Sequence, residues 1–318
     1  MKHNLFKILC FCIVGWTMNA SPVAQSPLTV YALKGPSGVG LIQLFENPPS
    51  TPAFAIKVEA LAQADLMAAR FISGEAKIGI LPPNVAAKIA ASGKHIQVAA
   101  VLGTGMLSLI TSDPSVQSLE DLRGKTVEIA GQGATPDYVF RRILLAKGMN
   151  PDHDLSLSYS LATAEIAQSL IASRVSIALL PEPFTTMARS GNSALRLIGD
   201  IQNEWASIEG SGNYPMTVLV VDADFAATQR EAMADILRAC KASIEWVGAN
   251  PAEAGILVEK HELGIRAPVV QAAIPHSNYV FIPALEARPA LESLFKVFLE
   301  FAPASIGGTL PADAFYYR

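Results

Sequence analysis

Short apolar segments that end at prolines recur along this chain, and two of them correspond to each other. Residues 76–84 and residues 175–183 each combine a short apolar run with two prolines. A helical pattern of apolar residues precedes and follows each run, which predicts a buried parallel strand between helices. Proline ends such a strand and stiffens the loop at its carboxyl edge, which is where open α/β sheets bind ligands.

The correspondence extends over most of two half-molecules. The aligned pairs are residues 56–60 with 155–159, 66–72 with 165–171, 29–33 with 126–130, and the turn 34–38 with the turn 131–135. The identities are sparse, and chance similarity between two α/β segments is the alternative. The hydrophobic pattern, the order of the predicted strands and helices, and their spacing nevertheless agree between the two halves. We therefore expect an α/β fold of two lobes, each a mostly parallel sheet flanked by helices, with a cleft between them.

Two β-prone segments, residues 104–111 and 214–221, are expected to connect the lobes. Lying side by side, they would form a hinge. The predicted first lobe is residues 25–105 plus 222–318, and the second lobe is residues 106–221 with these crossing strands near its ends. The main predicted helices outside the repeat are residues 227–247, 251–260 and 285–301.

Residues 1–24 have the layout of a secretory signal peptide. A short basic stretch is followed by an apolar run at residues 8–18 and by small residues, with cleavage points after Ala20 or Ala24. The run is too short to span a bilayer comfortably, and it lacks the amphipathic pattern of a buried helix. A lipoprotein signal would need small residues ahead of Cys10, which are missing. A soluble exported protein without a lipid anchor is expected.

Composition narrows the possible classes further. The 318 residues suit one large or two small domains, and 51% hydrophobic against 16% charged residues allow a large core. The net charge of −4, without a basic block, argues against nucleic-acid binding. Cys10 and Cys12 lie in the apolar leader, so its removal would leave Cys240 alone and no intrachain disulfide.

The sequence lacks the motifs typical of dinucleotide binding, nucleophilic catalysis and metal binding. Gly131 and Gly133 are not followed by the third glycine of a dinucleotide fingerprint, and Pro136 and Asp137 occupy the turn instead. No nucleophile and base occur at a spacing typical of a known catalytic motif, and no group of His, Cys, Asp and Glu has the spacing of metal ligands. His276 beside a proline is interpreted as structural. No catalytic residue, cofactor or metal is expected.

Four loops at strand ends should face each other across the cleft. They are residues 34–38, 82–84, 131–137 and 181–183. Ser37 and Thr135 could cap the helices that follow two of these loops, with Pro136 at the first helical position of the second helix. Free N–H groups there favour an anion or another acceptor, and ordinary capping of surface helices is the alternative.

Glu182 and Asn84 are the polar side chains expected nearest the gap between the lobes. Glu182 could accept a hydrogen bond from a ligand N–H or amine, and the alternative is a solvated loop glutamate. Asn84 could equally be a helix cap. Tyr214 and Asn278 lie near the crossing or returning segments, where they could line the same cleft. Because the loops contain no arginine, a neutral or N–H-bearing heterocycle is favoured over a sulfonate.

The chain resembles the periplasmic substrate-binding proteins of ABC transporters, in particular the branch that binds nitrate, sulfonates, taurine and thiamine-pyrimidine precursors. The resemblance covers residues 28–225 and rests on five segments. They are Gly74-Glu75, the strand 78–81 with its end at 82–84, Leu119-x-x-Leu122-x-Gly124-Lys125-Thr126-Val127, residues 133–137, and Leu180-Pro181-Glu182-Pro183-Phe184. It implies two α/β lobes of the type II periplasmic-binding-protein fold that close on a small-molecule ligand. Ligand binding would shift the open–closed equilibrium toward closed, and the closed form would dock on an ABC transporter permease in the inner membrane.

The resemblance carries ligand-binding roles onto Ser37, Asn84, Thr135 and Glu182. With their neighbours, the full candidate set is Gly35, Ser37, Gly38, Pro83, Asn84, Thr104, Gly133, Ala134, Thr135, Glu182, Tyr214 and Asn278. A monomer is expected. One alternative is an enzyme of the same fold acting in menaquinone or thiamine biosynthesis, but such enzymes are typically cytosolic. A sensor or adhesion module is another alternative.

Overall fold

The computed structural model describes residues 26–49, 51, 53–210 and 212–318, which form two sheets flanked by helices. The predicted signal peptide, Cys10 and Cys12 lie outside these residues. The first lobe begins with β1 (Ser26–Leu33), α1 (Pro36–Gly40), α2 (Ile42–Glu46), β2 (Phe54–Leu61), α3 (Ala64–Ser73), β3 (Ile78–Leu81), α4 (Pro83–Ala91) and β4 (Ile96–Thr104).

The chain then crosses into the second lobe and later returns. The second lobe contains β5 (Leu107–Thr111), β6 (Thr126–Ile129), α5 (Thr135–Ala146), β7 (Ser156–Ser158), α6 (Thr163–Ile171), β8 (Ile177–Pro181), α7 (Phe184–Gly191), β9 (Arg196–Asp200) and α8 (Ile201–Glu209). The returning part contains β10 (Pro215–Asp222), α9 (Ala223–Thr228), α10 (Arg230–Ala249), α11 (Pro251–Lys260), α12 (Ala267–Ala273), β11 (Tyr279–Pro283) and α13 (Ala284–Phe301).

The strand order supports the internal repeat. The first sheet runs β2-β1-β3-β10-β4 with β11 added at the edge, and the second runs β7-β6-β8-β5-β9. In each sheet the first three strands are parallel, and the fourth is antiparallel to its neighbours. The fourth strand, β10 or β5, is in each case the first one formed after the chain crosses from the other lobe. Two half-molecules therefore share one topology and exchange one strand.

The return of the chain differs from the predicted boundary. Residues 106–221 were expected in the second lobe, but β10 pairs with β3 and β4 in the first sheet. β10 is a nearly continuous apolar and mostly buried strand, which suits its position between two strands of the first sheet. The chain passes outward into the second lobe between β4 and β5.

The proline-ended strands are buried as their sequence predicts. All four residues of β3 are buried, as are the first four of β8. A single buried cluster joins Val39 and Ile42 of the first lobe to Leu180 and Phe184 of the second. The lobes therefore pack directly against each other beside the loops that follow β3 and β8. No helix within the described residues has both the length and the apolar character needed to cross a membrane.

Candidate functional site

Asn84 joins the two lobes. It lies in the first turn of α4, and its Nδ2 donates to the Gly133 carbonyl at 2.7 Å while its Oδ1 accepts from the Thr135 hydroxyl at 2.9 Å. Asn84 is 1% exposed and Thr135 is fully buried. The same Nδ2 also approaches the Ser305 carbonyl of its own lobe at 3.5 Å. The loops 82–84 and 131–137 therefore meet across the cleft.

The other two loops meet at Gly35 and Phe184. Gly35 has φ 123° and ψ −139°, a backbone conformation that side-chain-bearing residues rarely adopt. A Cβ placed on it would lie 2.8 Å from Cε2 of the Phe184 ring. The loop 34–38 therefore approaches the loop after β8 at van der Waals distance, and all four predicted loops border one interface.

Replacing Gly35 by alanine should lower stability and hinder closure. The backbone strain costs about 1–3 kcal/mol, and the added methyl overlaps Phe184 only when the lobes are together. Gly74→Ala is the matched control, since Gly74 also has positive φ, 82°, but has open space around it. Urea unfolding should show a lower free energy of unfolding in both variants, whereas small-angle scattering should show a more open molecule only for Gly35→Ala. Equal scattering from the two variants would contradict this contact.

Glu182 presents a buried carboxylate at this interface. It is 6% exposed, and its Oε2 accepts from the Thr186 amide at 3.1 Å in the first turn of α7. Burial raises the pKa of the Glu182 carboxyl, against the hydrogen bonds from Thr186 and the charges of His276 and Arg189, which lower it. The alternative of a solvated loop glutamate is therefore wrong. A buried carboxylate favours a partner that donates hydrogen bonds.

Tyr279, the first residue of β11 in the first lobe, lies close enough to Glu182 for the charge of Glu182 to affect its hydroxyl. Its hydroxyl is buried and has no hydrogen-bond partner among the described residues. The nearby Ser277 hydroxyl donates instead to the Ala273 carbonyl at 2.9 Å. Burial raises the pKa of the Tyr279 hydroxyl, the nearby Ser277 hydroxyl lowers it, and the negative charge of Glu182 raises it again. Two desolvated polar groups, one on each lobe, thus face the same region.

The predicted residues near the crossing segments bind one another. Asn213 donates to the Thr104 hydroxyl at 3.0 Å, and Asn278 donates to the Gly105 carbonyl. The Tyr214 hydroxyl donates to Gln202 at 2.9 Å. These hydrogen bonds tie the residues around the crossover to one another. A ligand contact from Thr104, Tyr214 or Asn278 stays a prediction.

The predicted helix caps are wrong. The N-cap of α1 is Gly35, and the Ser37 hydroxyl accepts from the Leu33 amide at 3.0 Å, which closes the turn after β1. In α5 the N-cap is Ala134, because the Thr135 hydroxyl is engaged with Asn84. This places Pro136 at the second helical position. Asn84 is not a cap either, since Pro82 has that position in α4.

The remaining glycine and proline candidates shape the backbone. Pro83 occupies the first position of α4 and is buried, and a Cβ on Gly38 would lie 2.8 Å from the Leu33 carbonyl oxygen. Gly133 has φ 76°, and its carbonyl accepts from Asn84. These three residues allow the loops to approach each other closely.

Sequence reasoning missed Tyr279 and Phe184 as cleft residues. Tyr279 stands at the end of a segment, residues 275–279, that the sequence predicts as a loop, and this gives no sign of an unpartnered hydroxyl. Phe184 was noted only as part of a motif. Its position immediately after the second proline loop was a usable signal, since that loop was already placed at the cleft.

Comparison with known proteins gives a family. Residues 46–259 match the family described as "ABC transporter, phosphonate, periplasmic substrate-binding protein". The chain belongs to this family of periplasmic substrate-binding proteins. A search of curated protein sequences gave no significant match. Membership makes a small-molecule ligand and a transporter permease the partners of this chain, and the enzymatic alternative has no support.

Solved structures agree with the substrate-binding-protein fold. An ABC transporter protein from Parabacteroides distasonis is 26% identical over 92% of this chain and 99% of its own, with a TM-score of 0.76. The periplasmic aliphatic sulphonate binding protein SsuA of Escherichia coli is 16% identical over 93% of each chain, with a TM-score of 0.70. The periplasmic nitrate-binding protein NrtA of Synechocystis is 13% identical, covering 77% and 69%, with a TM-score of 0.61.

Other features of this substrate-binding protein lie away from the cleft. A surface pocket of about 500 Å³ is formed by the end of α4, the start of β4 and the C-terminal tail. Its lining residues include no member of the four loops. Among the described residues, no group of three or more His, Cys, Asp or Glu could hold a metal ion.

Proposed function

We propose that this protein captures a small organic solute bearing at least one N–H donor, closes on it between Glu182 and Tyr279, and delivers it unchanged to its permease. Binding at both lobes would shift the open–closed equilibrium toward closed, because the ligand gains the second set of contacts only there. The closed form would then be recognised by the permease.

The observation that carries the proposal is the pairing of two desolvated groups from opposite lobes. Glu182 retains acceptor capacity beyond the Thr186 amide, and Tyr279 has an unsatisfied hydroxyl among the described residues. A buried polar group without a partner costs free energy that a suitable ligand recovers. An N–H group suits the Glu182 carboxylate, and an acceptor on the same solute would suit the Tyr279 hydroxyl.

Charge supports an N–H donor over a strong anion. The family model's description names phosphonate, and the similar structures are described as sulphonate- and nitrate-binding. In this chain the four loops contain no arginine, and Lys34 at their edge is exposed. A phosphonate or sulfonate beside Glu182 would meet a buried like charge.

A ligand screen tests this proposal. Aminated and neutral N-heterocycles should raise the thermal unfolding temperature, whereas alkylsulfonates and alkylphosphonates should not. Saturation at about one hundred times Kd stabilises the native state by about 2.7 kcal/mol. Stabilisation by sulfonates or phosphonates, with no response to N–H donors, would overturn the assignment of ligand class.

Affinity for such a ligand should fall in acid. Because burial raises the Glu182 pKa, this carboxylate protonates at a higher pH than its usual value near 4.5 and then accepts more weakly. The stability of the ligand-free protein depends on pH in the opposite direction. The raised Glu182 pKa stabilises the fold at pH values below its usual value near 4.5, and this stabilisation is lost as pH rises through the folded-state pKa. Calorimetric titrations across pH 4–8 check the predicted loss of ligand affinity in acid, and an affinity independent of pH would contradict it.

The proposal also covers where the protein acts and its oligomeric state. Residues 1–24 are proposed to direct export to the periplasm and to be removed, and the mature protein to act as a monomer beside an inner-membrane permease. Mass spectrometry of the mature N-terminus and light scattering of the purified protein test these two statements. A retained leader, a lipidated cysteine or a stable dimer would contradict them.

A further inference from the structure

Asp137 organises the second-lobe loop that Asn84 contacts. It is 2% exposed, and its Oδ2 accepts from the Gly133 amide at 2.8 Å. Its Oδ1 accepts from the Tyr159 hydroxyl at 2.7 Å and from Arg141 Nε at 2.8 Å. One buried carboxylate thus ties the turn at Gly133 to a helix and to the segment after β7.

The partners of Asp137 are themselves held in place. Arg141 donates to Asp152 at 2.8 Å and to the Tyr159 hydroxyl at 3.1 Å. Burial raises the pKa of Tyr159, and its hydrogen bond to Asp137 raises it further, so this hydroxyl remains a neutral donor. The cluster of Asp137, Arg141 and Tyr159 is therefore a connected network within the second lobe.

The network ends one peptide away from the contact between the lobes. The amide of Gly133 is bound by Asp137, and the carbonyl of the same residue accepts from Asn84 at 2.7 Å. Gly133 has φ 76°, a conformation in which its two peptide groups are free to turn if the amide is released. Fixing the amide therefore restricts where the carbonyl points.

We propose that Asp137, held by Arg141 and Tyr159, is a positioning residue for closure: it presets the Gly133 carbonyl and the Thr135 hydroxyl to meet Asn84. The inference rests on closure of the two lobes, as in the proposed function, but not on the class of ligand. Preorganisation of this kind lowers the ordering cost when the lobes come together.

The test measures the distance between the lobes in the ligand-free protein. Spin labels at Leu66→Cys on α3 and Leu197→Cys on β9 occupy exposed positions, one on each lobe. Cys240 is fully buried, and burial raises the pKa of its thiol to about 12, so it does not compete for the label. Cys10 and Cys12 belong to the leader that is proposed to be removed, so the mature protein carries neither of these thiols. Double electron–electron resonance then gives the ratio of closed to open molecules.

Tyr159→Phe removes one hydrogen bond to Asp137 and keeps the ring. We expect it to lower the closed-to-open ratio about threefold to tenfold, as for a weakened hydrogen bond. Arg123→Gln is the control, because Arg123 pairs with Asp154 in the same lobe away from the loop. The control should keep the wild-type ratio, whatever its effect on thermal stability.

A double-mutant cycle separates positioning from a general loss of stability. In an Asn84→Ala background the contact at Gly133 is gone, so Tyr159→Phe should then leave the ratio unchanged. An unchanged ratio in the wild-type background, or equal effects in both backgrounds, would overturn the proposal. The ligand screen described above is independent of this result, so either proposal can fail alone.

Discussion

Replacing Asn84 by alanine should weaken solute binding by about 30-fold or more. The substitution leaves the Gly133 carbonyl and the Thr135 hydroxyl without their partner in the closed state, where both are buried. Each unsatisfied buried group costs about 1–3 kcal/mol, so the closed state loses at least about 2 kcal/mol. In the open state water serves the same groups. The loss therefore falls on closure and appears as faster solute dissociation in stopped-flow measurements.

Asn192→Ala is the matched control for this experiment. Asn192 donates its amide to the Leu170 carbonyl at 3.0 Å within the second lobe and makes no bond across the cleft. It should lower the unfolding free energy by about 1 kcal/mol and leave solute affinity near that of the wild type. Equal affinities for the Asn84 and Asn192 variants would mean that the cross-lobe bonds do not stabilise the bound state.

Replacing Glu182 by glutamine should separate stability from binding. The amide oxygen can still accept from Thr186, but the buried charge is removed. Because burial raises the Glu182 pKa, the charged form destabilises the ligand-free protein at neutral pH, and the variant should unfold at a higher temperature. Affinity for an N–H-bearing solute should fall about 10- to 100-fold, since hydrogen bonds to charged groups contribute about 1.5–3 kcal/mol.

Glu128→Gln provides the control for a buried carboxylate whose hydrogen-bond partners Ser160 and Leu161 belong to its own lobe. Glu128 is 5% exposed and accepts from the Ser160 amide at 2.9 Å within the second lobe. Its variant should leave solute affinity unchanged. If Glu182→Gln binds the solute as tightly as the wild type, the carboxylate is not a ligand contact and the class of solute must be reconsidered.

The repeated half and the position of the cleft were predictable because they follow from local patterns. Apolar runs ending at Pro82 and Pro181 mark strands whose carboxyl edges must carry loops. The equivalent spacing of the two runs then implies two similar sheets. The strand orders of the two sheets confirm this inference.

The exchange of strands was not predictable to the same degree. Residues 214–221 have a β-prone pattern that suits either lobe, and only pairing with β3 and β4 decides between them. Register and partner choice depend on long-range contacts that a local pattern does not contain.

The polar contacts of the site were predicted only in part. Asn84, Thr135 and Glu182 were placed near the cleft from their position after strands. That Asn84 and Thr135 bind each other, and that Tyr279 faces Glu182, depends on how the lobes meet. Asp137 was noted only as a turn residue, because its network with Arg141 and Tyr159 joins positions that are up to 22 residues apart.

Native mass spectrometry of the purified protein tests the central claim most directly. Wild-type protein should retain a small solute that is released on denaturation, rebinds when added back, and is recovered with the same mass. Protein with Asn84→Ala, purified in parallel, should be largely empty. A solute retained equally by the variant, or recovered with an altered mass, would contradict capture by closure of the two lobes.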